Sequence, residues 1–408
     1  MKPLRASLLL CLLLASAVRS WALVDPAEVG MDAAKLRDIQ PQMQKLVDEH
    51  KIAGAVTLVA RKGQIVSVQA AGFANLKKQT PMRDDNLFWI ASMTKPITAL
   101  AVMMLQDEGK LSIDDPVEKH LPEFKGQMLV SETSAEKTVL VKPARVITIK
   151  DLLMHMSGLV SKSPLDKDAL DQLTLREAVL TYALSPLQFA PGSKWSYCNP
   201  GITTLGRIVE VVSGTPYATF MDKRLFKPLG MKDTTFWPNG AQLKRLATAY
   251  KNTADDKGLE PVTITYLTEP YSNRKRMPLP AGGLFSTVGD LAKLYLMLLA
   301  GGEIDGRRYI SADALKLMTT NHSGDLKMGF SDGMGMGLGF HIVREPTGVT
   351  AMLSPGTYGH GGAYGTQGWI DPQREMIYIM LIQRSGLKNG DQSEMRRVFQ
   401  ETAAAAVK

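Results

Sequence analysis

A serine and a lysine three residues apart are the first residues whose types and spacing suggest chemistry. They are Ser92 and Lys95, in Phe88-Trp89-Ile90-Ala91-Ser92-Met93-Thr94-Lys95-Pro96. A hydroxyl is a weak nucleophile until a neighbouring base takes its proton, and a desolvated lysine can be that base. Apolar residues at helical spacing follow, Ile97, Leu100, Ala101, Met104 and Leu105, up to Gly109. The pattern predicts that Ser92 opens a helix, that Pro96 is tolerated in its first turn, and that Ser92 and Lys95 share one face. The helix N-terminus would add positive potential where negative charge develops during acyl transfer. Spacing alone decides little, because Ser92, Ser134, Ser272 and Ser385 each have a lysine three residues on. Only the first is followed by a long apolar helix, and an N-cap serine beside a solvated lysine is the other reading.

Two further stretches could complete such a centre. In Trp195-Ser196-Tyr197-Cys198-Asn199-Pro200-Gly201, Asn199 and Pro200 suit the N-cap and first position of a helix. Read as a site, the same residues place the Tyr197 phenol beside Ser92 and Lys95 as a proton relay. Asn199 would then bind a substrate carbonyl or amide. The Tyr-x-Asn spacing recurs at Tyr250 and Tyr271. In Gly359-His360-Gly361-Gly362-Ala363-Tyr364-Gly365, small residues would let a strand lie against a substrate and offer backbone N–H groups to an oxyanion. A glycine-rich turn with an incidental histidine is the alternative. The six histidines show no paired spacing, so no metal site is expected. His155 reads as a structural residue closing a short helix. No Gly-x-Ser-x-Gly elbow is present, and Gly333, Gly335, Gly337 and Gly339 match no phosphate-binding fingerprint.

These stretches need a framework. Near the start, GAVTLVA and QIVSVQAAG flank Arg61-Lys62-Gly63 and read as a hairpin; near the end, TQGWID and MIYIMLIQ flank Asp371-Pro372-Gln373-Arg374 and read as another. SEMRRVFQETAAAAV reads as a final helix, with helices between the hairpins at Met93–Gln106, Ile149–His155, Gly201–Val212 and Val288–Leu299. The expectation is an α/β chain of α+β type, its antiparallel sheet built from both termini with a helical region inserted. With 45% hydrophobic residues in 408, a wholly disordered chain is excluded. MKPLR followed by SLLLCLLLASAV has the form of a signal peptide, with cleavage after Ala17 or Ala22 and export to the periplasm or beyond. Loss of residues 1–22 would remove Lys2, Arg5, Arg19 and Cys11, lowering the net charge from +8 to +5 and leaving Cys198 without a disulfide partner. The remaining positive charge is dispersed, which argues against a nucleic-acid partner. Arg274-Lys275-Arg276 reads as a solvated loop, or else as a cluster drawing an anionic substrate toward a nearby cleft, and no other run is long enough for a stable membrane span.

The order of the three motifs resembles the serine β-lactamase and penicillin-binding-protein superfamily. The nearest branch holds class C β-lactamases, DD-peptidases, D-aminopeptidases and family VIII esterases. Supporting stretches are Leu152–Leu159, Pro191-Gly192, Phe226–Met231 and Ala281–Thr287. The resemblance implies a β-lactamase/transpeptidase-like fold, with one catalytic domain over 23–408 following the signal peptide read over 1–22. Its α/β lobe would cover about 23–85 and 285–408, and its helical lobe about 86–284. Ser92 is then implied as the acylated nucleophile, with Lys95 and Tyr197 sharing proton transfer. Asn199, His360, Gly361, Gly362 and Ala363 are implied to bind substrate, the N–H groups of Ser92 and Ala363 forming the oxyanion hole. No metal or organic cofactor is implied. The third motif departs from the Lys-Thr-Gly usual in family β-lactamases, and a neutral imidazole holds a carboxylate less firmly. The expected substrate is therefore an ester or a D-amino-acid amide or peptide. β-Lactam hydrolysis and non-catalytic penicillin or peptidoglycan binding are the alternatives.

Overall fold

At Lys62 and Gly63 the backbone takes φ values of 49° and 74°, the two positive φ angles that let a two-residue turn follow the twist of its strands. This turn joins β1 (Gly54–Arg61) to β2 (Gln64–Asn75), the first expected hairpin. A computed structural model describes residues 22–408 apart from 164, 166–168 and 327; the N-terminal apolar run with Cys11 lies outside the described residues. β3 (Thr80–Pro81) adds to the edge of β2. The C-terminal part contributes β4 (Met334–Met336), β5 (His341–Val343), β6 (Tyr358–Gly361), β7 (Gln367–Asp371) and β8 (Met376–Leu381). β8 pairs antiparallel with β1, so strands from both ends of the chain form one eight-stranded sheet, β4-β5-β6-β7-β8-β1-β2-β3.

β1 and β8 are near-continuous apolar runs because they are covered on both faces. Val56, Leu58, Ile377 and Ile379 face one hydrophobic cluster, and Ala55, Val59, Met376 and Tyr378 face the other. The helices that matter to the site are α1 (Ile39–Asp48), α2 (Thr94–Asp107), α3 (Ile149–Leu153), α4 (Asn199–Ser213), α5 (Val288–Leu299) and α6 (Glu394–Ala405). α1 and α6 cover the second face with Ile39, Met43 and Leu46, and with Met395, Phe399 and Ala403, the three-to-four-residue spacing of an apolar stripe. α2 is buried from Thr94 to Leu105, as expected for a helix that is apolar nearly all round.

Within residues 125–144 lies a further hairpin, Leu129–Thr133 with Thr138–Val141; the Ser134 hydroxyl accepts the Glu136 and Lys137 amides and ties its turn. Two local expectations are corrected. Arg276 is not solvated: it is 3% exposed and donates to Asp171 at 2.7 Å and to Tyr271 O at 2.6 Å. The N-cap of α4 is Cys198, one residue earlier than Asn199, with its Sγ accepting the Gly201 amide at 3.3 Å. Burial pushes this thiol up to about 11, so Cys198 is an inert packing and capping residue.

Candidate active site

Ser92 lies in a single 3-10 turn, Ala91–Met93, that runs straight into α2. The preceding Ala91 is buried and takes a φ of 47°, a left-handed conformation that costs a residue with a Cβ on the order of 1–3 kcal/mol. The surroundings hold it there. Ile90 N–H donates to Leu284 O at 3.0 Å, Trp89 Nε1 to Gly282 O at 2.7 Å, and Gln383 Nε2 to Trp89 O at 2.9 Å. Phe88–Trp89 also pairs with Phe285–Ser286 as a short antiparallel ribbon. The Ala281–Thr287 stretch, a mere supporting motif in sequence, is therefore the cradle of the serine turn.

One turn of α2 brings Lys95 Nζ to 2.9 Å from Ser92 Oγ, and Nζ donates to Ala281 O at 2.6 Å. The Tyr197 hydroxyl donates to Ser92 Oγ at 2.7 Å, and Lys95 Nζ lies 4.7 Å from the centre of the Tyr197 ring. The structure thus brings together Ser92, Lys95 and Tyr197. Lys95 is fully buried, and loss of hydration pushes its amine well below the usual lysine value. Burial acts the other way on Tyr197, raising the phenol above its ordinary value, while its hydrogen bond to Ser92 partly opposes the shift. Near neutral pH these shifts favour a free amine and an intact phenol. The Ser92 O–H can then donate to the Lys95 lone pair while Ser92 Oγ accepts from Tyr197.

The third motif comes from the sheet. β6 ends at Gly361, and the chain passes directly over the serine turn. A Cβ on Gly362 would lie 2.6 Å from Ile90 O and 2.1 Å from Thr366 Oγ1, and one on Gly361 would lie 1.9 Å from Asp391 Oδ1. Both positions need glycine for that approach. Ala363 follows at the surface. Among the described residues neither the Ser92 amide nor the Ala363 amide has an acceptor. Asn199 is half-buried at the start of α4, and its side chain likewise has no hydrogen-bond partner among the described residues. His360 is 1% exposed, with Nδ1 2.6 Å from Gly361 O. It stands in the wall beside Tyr197, ring centres 6.3 Å apart.

Sequence reasoning gave His155 a purely helical role. It does sit just beyond α3, at a φ of 57°, but its carbonyl accepts the Ser196 amide at 2.9 Å and its Nδ1 accepts the Cys198 amide at 3.1 Å. Its ring lies 4.7 Å from that of Tyr197. It packs against the tyrosine ring and ties the backbone on either side of Tyr197. α3 is fixed at its other end by the Thr148–Asp151 capping box and the Arg145–Asp151 ion pair. Sequence reasoning also passed over two exposed aromatic rings at the site: Phe330, 5.0 Å from Tyr197, and Tyr266, 5.8 Å from Trp89. A separate groove of about 500 Å³, lined by Phe124, Met128, Val146, Ile147 and Leu187 among others, contains none of the motif residues.

A serine held between a buried amine and a phenol, on a strained turn against an antiparallel sheet, is the arrangement of a candidate serine-hydrolase centre. The chain belongs to the beta-lactamase family, whose family model, described as "Beta-lactamase", matches residues 39–402. It is 30% identical over 391 residues to "Esterase EstB" of Burkholderia gladioli, covering 88% of this chain and 93% of that protein. It is 27% identical over 397 residues to an Escherichia coli (strain K12) protein named "Putative D-alanyl-D-alanine carboxypeptidase", covering 92% of this chain and 88% of the other. The solved structure titled "EstCE1, a hydrolase with promiscuous acyltransferase activity" superposes with a TM-score of 0.75 at 26% identity, covering 92% of this chain and 98% of that one. The protein is a hydrolase of the serine β-lactamase, esterase and peptidase type, with a β-lactamase/transpeptidase-like α/β fold.

Proposed function

We propose that the protein is a serine esterase working through an acyl-enzyme on Ser92. Ser92 Oγ attacks the ester carbonyl as its proton passes to Lys95 Nζ. The oxyanion is held by the Ser92 and Ala363 N–H groups, and Asn199 binds the acyl part. The tetrahedral intermediate collapses by breaking the bond to the alcohol, which leaves with the proton returned from Lys95 Nζ, while the Tyr197 hydroxyl keeps its hydrogen bond to Ser92 Oγ. Water then attacks the acyl-enzyme, giving its proton back along the same path and releasing the carboxylic acid and free Ser92.

The observation that carries this reading is the Lys95–Ser92–Tyr197 arrangement, with an amine whose burial favours the unprotonated form. Esters are favoured over β-lactams because the third motif presents a buried imidazole in place of a lysine, and because Phe330 and Tyr266 offer apolar surface. A peptidase acting on D-amino-acid amides is the second reading, favoured by the similarity to the Escherichia coli relative. Wild type and Ser92→Ala are to be compared on p-nitrophenyl butyrate, a D-Ala-D-Ala peptide and nitrocefin, with mass spectrometry of a fluorophosphonate adduct. The expected result is Ser92-dependent ester turnover and one adduct on Ser92. Equal ester turnover in both proteins refutes the reading, and dominant nitrocefin turnover replaces it with a β-lactamase. Export, supported by the basic start and apolar run of residues 1–22, is tested by fractionating cells that express the full chain.

A further inference from the structure

Three buried imidazoles that the acyl-transfer steps do not consume lie at the site: His155 beyond α3 and His360 on β6 beside Tyr197, and His341 on β5 behind His360. Each is at most 2% exposed, and each has an Nε2 without a hydrogen-bond partner among the described residues. His341 and His360 are not near in sequence. The pairing of β5 with β6 sets His341 opposite Gly359, and the two rings stack with centres 4.5 Å apart and planes 21° from parallel. A carbonyl oxygen only accepts, so the His360 Nδ1 facing Gly361 O carries the ring proton and its Nε2 is bare.

We propose that His341 is a specificity-determining positioning residue: stacked on His360, it holds the third motif uncharged, so that the site favours acyl substrates lacking a carboxylate there. The inference rests on the proposed Ser92 chemistry and names the substrate class that chemistry accepts. Two charged imidazoles face to face at this distance, away from water, repel each other strongly. The groups around the pair also oppose a single charge. Arg396 of α6 is a cation, Lys95 of α2 becomes one whenever it holds the Ser92 proton, His155 is a third imidazole, and Tyr197 is a phenol. Asp391 is the one acid acting on His341. Its Oδ1 already accepts Gln367 Nε2 at 3.1 Å, and its backbone carbonyl accepts Arg396 at 2.8 Å. Burial is the first cause that pushes His360 well below the usual imidazole value, and His341 is the second. A lysine in this motif would present a permanent cation; the stacked pair presents none.

The test separates this proposal from the esterase reading. In Ser92→Ala protein, labelled-histidine NMR with His360 assigned through His360→Gln reports its tautomer and titration without any turnover. The expected state at pH 7 is neutral with the proton on Nδ1. His341→Gln removes the stacked, chargeable neighbour and raises the His360 midpoint by about one pH unit. His341→Phe keeps a ring in the stack but removes its charge, and shifts the midpoint the same way; it also serves if the glutamine variant folds poorly. In the Ser92 background, butyrate esters of 4-hydroxybenzoate and of its methyl ester differ by one carboxylate. Their kcat/KM ratio is expected to match wild type at pH 7 and to move several-fold toward the carboxylate in the His341 variants as pH falls toward about 4, where His341 takes up its proton. A His360 charged at pH 7, or an unchanged midpoint and ratio in both variants, overturns the proposal. Absence of Ser92-dependent turnover overturns the esterase reading instead, with the titration still deciding the role of His341.

Discussion

Replacing Lys95 by Met and Tyr197 by Phe, one at a time, separates the two groups that touch the nucleophile. Lys95 Nζ stands 2.9 Å from Ser92 Oγ, and its burial favours the free amine. Loss of a positioned general base typically costs about 10²–10⁴ in rate, so Lys95→Met should lower kcat/KM by about 3–5 kcal/mol of transition-state stabilisation. Tyr197 donates one hydrogen bond of 2.7 Å to Ser92 Oγ from a phenol that burial keeps protonated. Removing one such bond costs about 1–1.5 kcal/mol, so Tyr197→Phe should lose only about tenfold. The assay is kcat/KM for p-nitrophenyl butyrate from pH 5 to 9, with melting curves to verify folding. Wild-type kcat/KM should rise with pH as the Lys95 amine loses its proton and then level off, with no alkaline limb from a tyrosinate. Tyr197→Phe should keep that profile. A Tyr197→Phe loss as large as that of Lys95→Met, with both proteins folded, would refute the assignment of Lys95 as the base.

Other perturbations test the framework. Asp171→Asn leaves Arg276 charged and buried, its carboxylate partner gone from 2.7 Å away, and should destabilise the fold by about 3–5 kcal/mol in urea unfolding. Gly362→Ala drives a Cβ to 2.6 Å from Ile90 O and should reduce kcat/KM more than tenfold with a smaller effect on the melting temperature. His155, His341 and His360 all have imidazole pKa values lowered by burial. The unfolded chain therefore binds protons the native one does not as pH falls below about 6.5. Their stabilisation is fully present above that pH and is lost toward the native-state values, at up to about 1.4 kcal/mol per imidazole per pH unit. Denaturant midpoints at pH 7 and 5 check this, and His341→Phe should flatten the slope.

The hairpins and the long helices are legible because their causes are local. Period-two and continuous apolar runs around Lys62-Gly63 and around Asp371–Arg374 specify strands and turns without reference to distant residues. The same holds for the apolar spacing after Ser92 and for the Ser393 cap of α6. Arg276 misleads for the opposite reason. A basic triplet looks solvated until Asp171, 105 residues away, is seen to neutralise it. The Asn199 cap was misplaced because a thiol is an unusual cap, and sequence statistics favour asparagine.

Residue types and order in the sequence alone established the nucleophile candidates, the strands that could carry them and the family they resemble. The apolar helix after it and the family resemblance singled out Ser92 among four serines with a lysine three residues on; the tertiary structure supplied the contacts that make it a centre. Ser134, by contrast, spends its hydroxyl in an exposed hairpin turn. The contacts at the centre, Tyr197 on Ser92 and Ala281 on Lys95, span 105 and 186 residues. Charge states and stacking were likewise out of reach. Whether Lys95 is an amine or an ammonium depends on burial, and His341 meets His360 through strand register, neither of which is a property of residues taken in order.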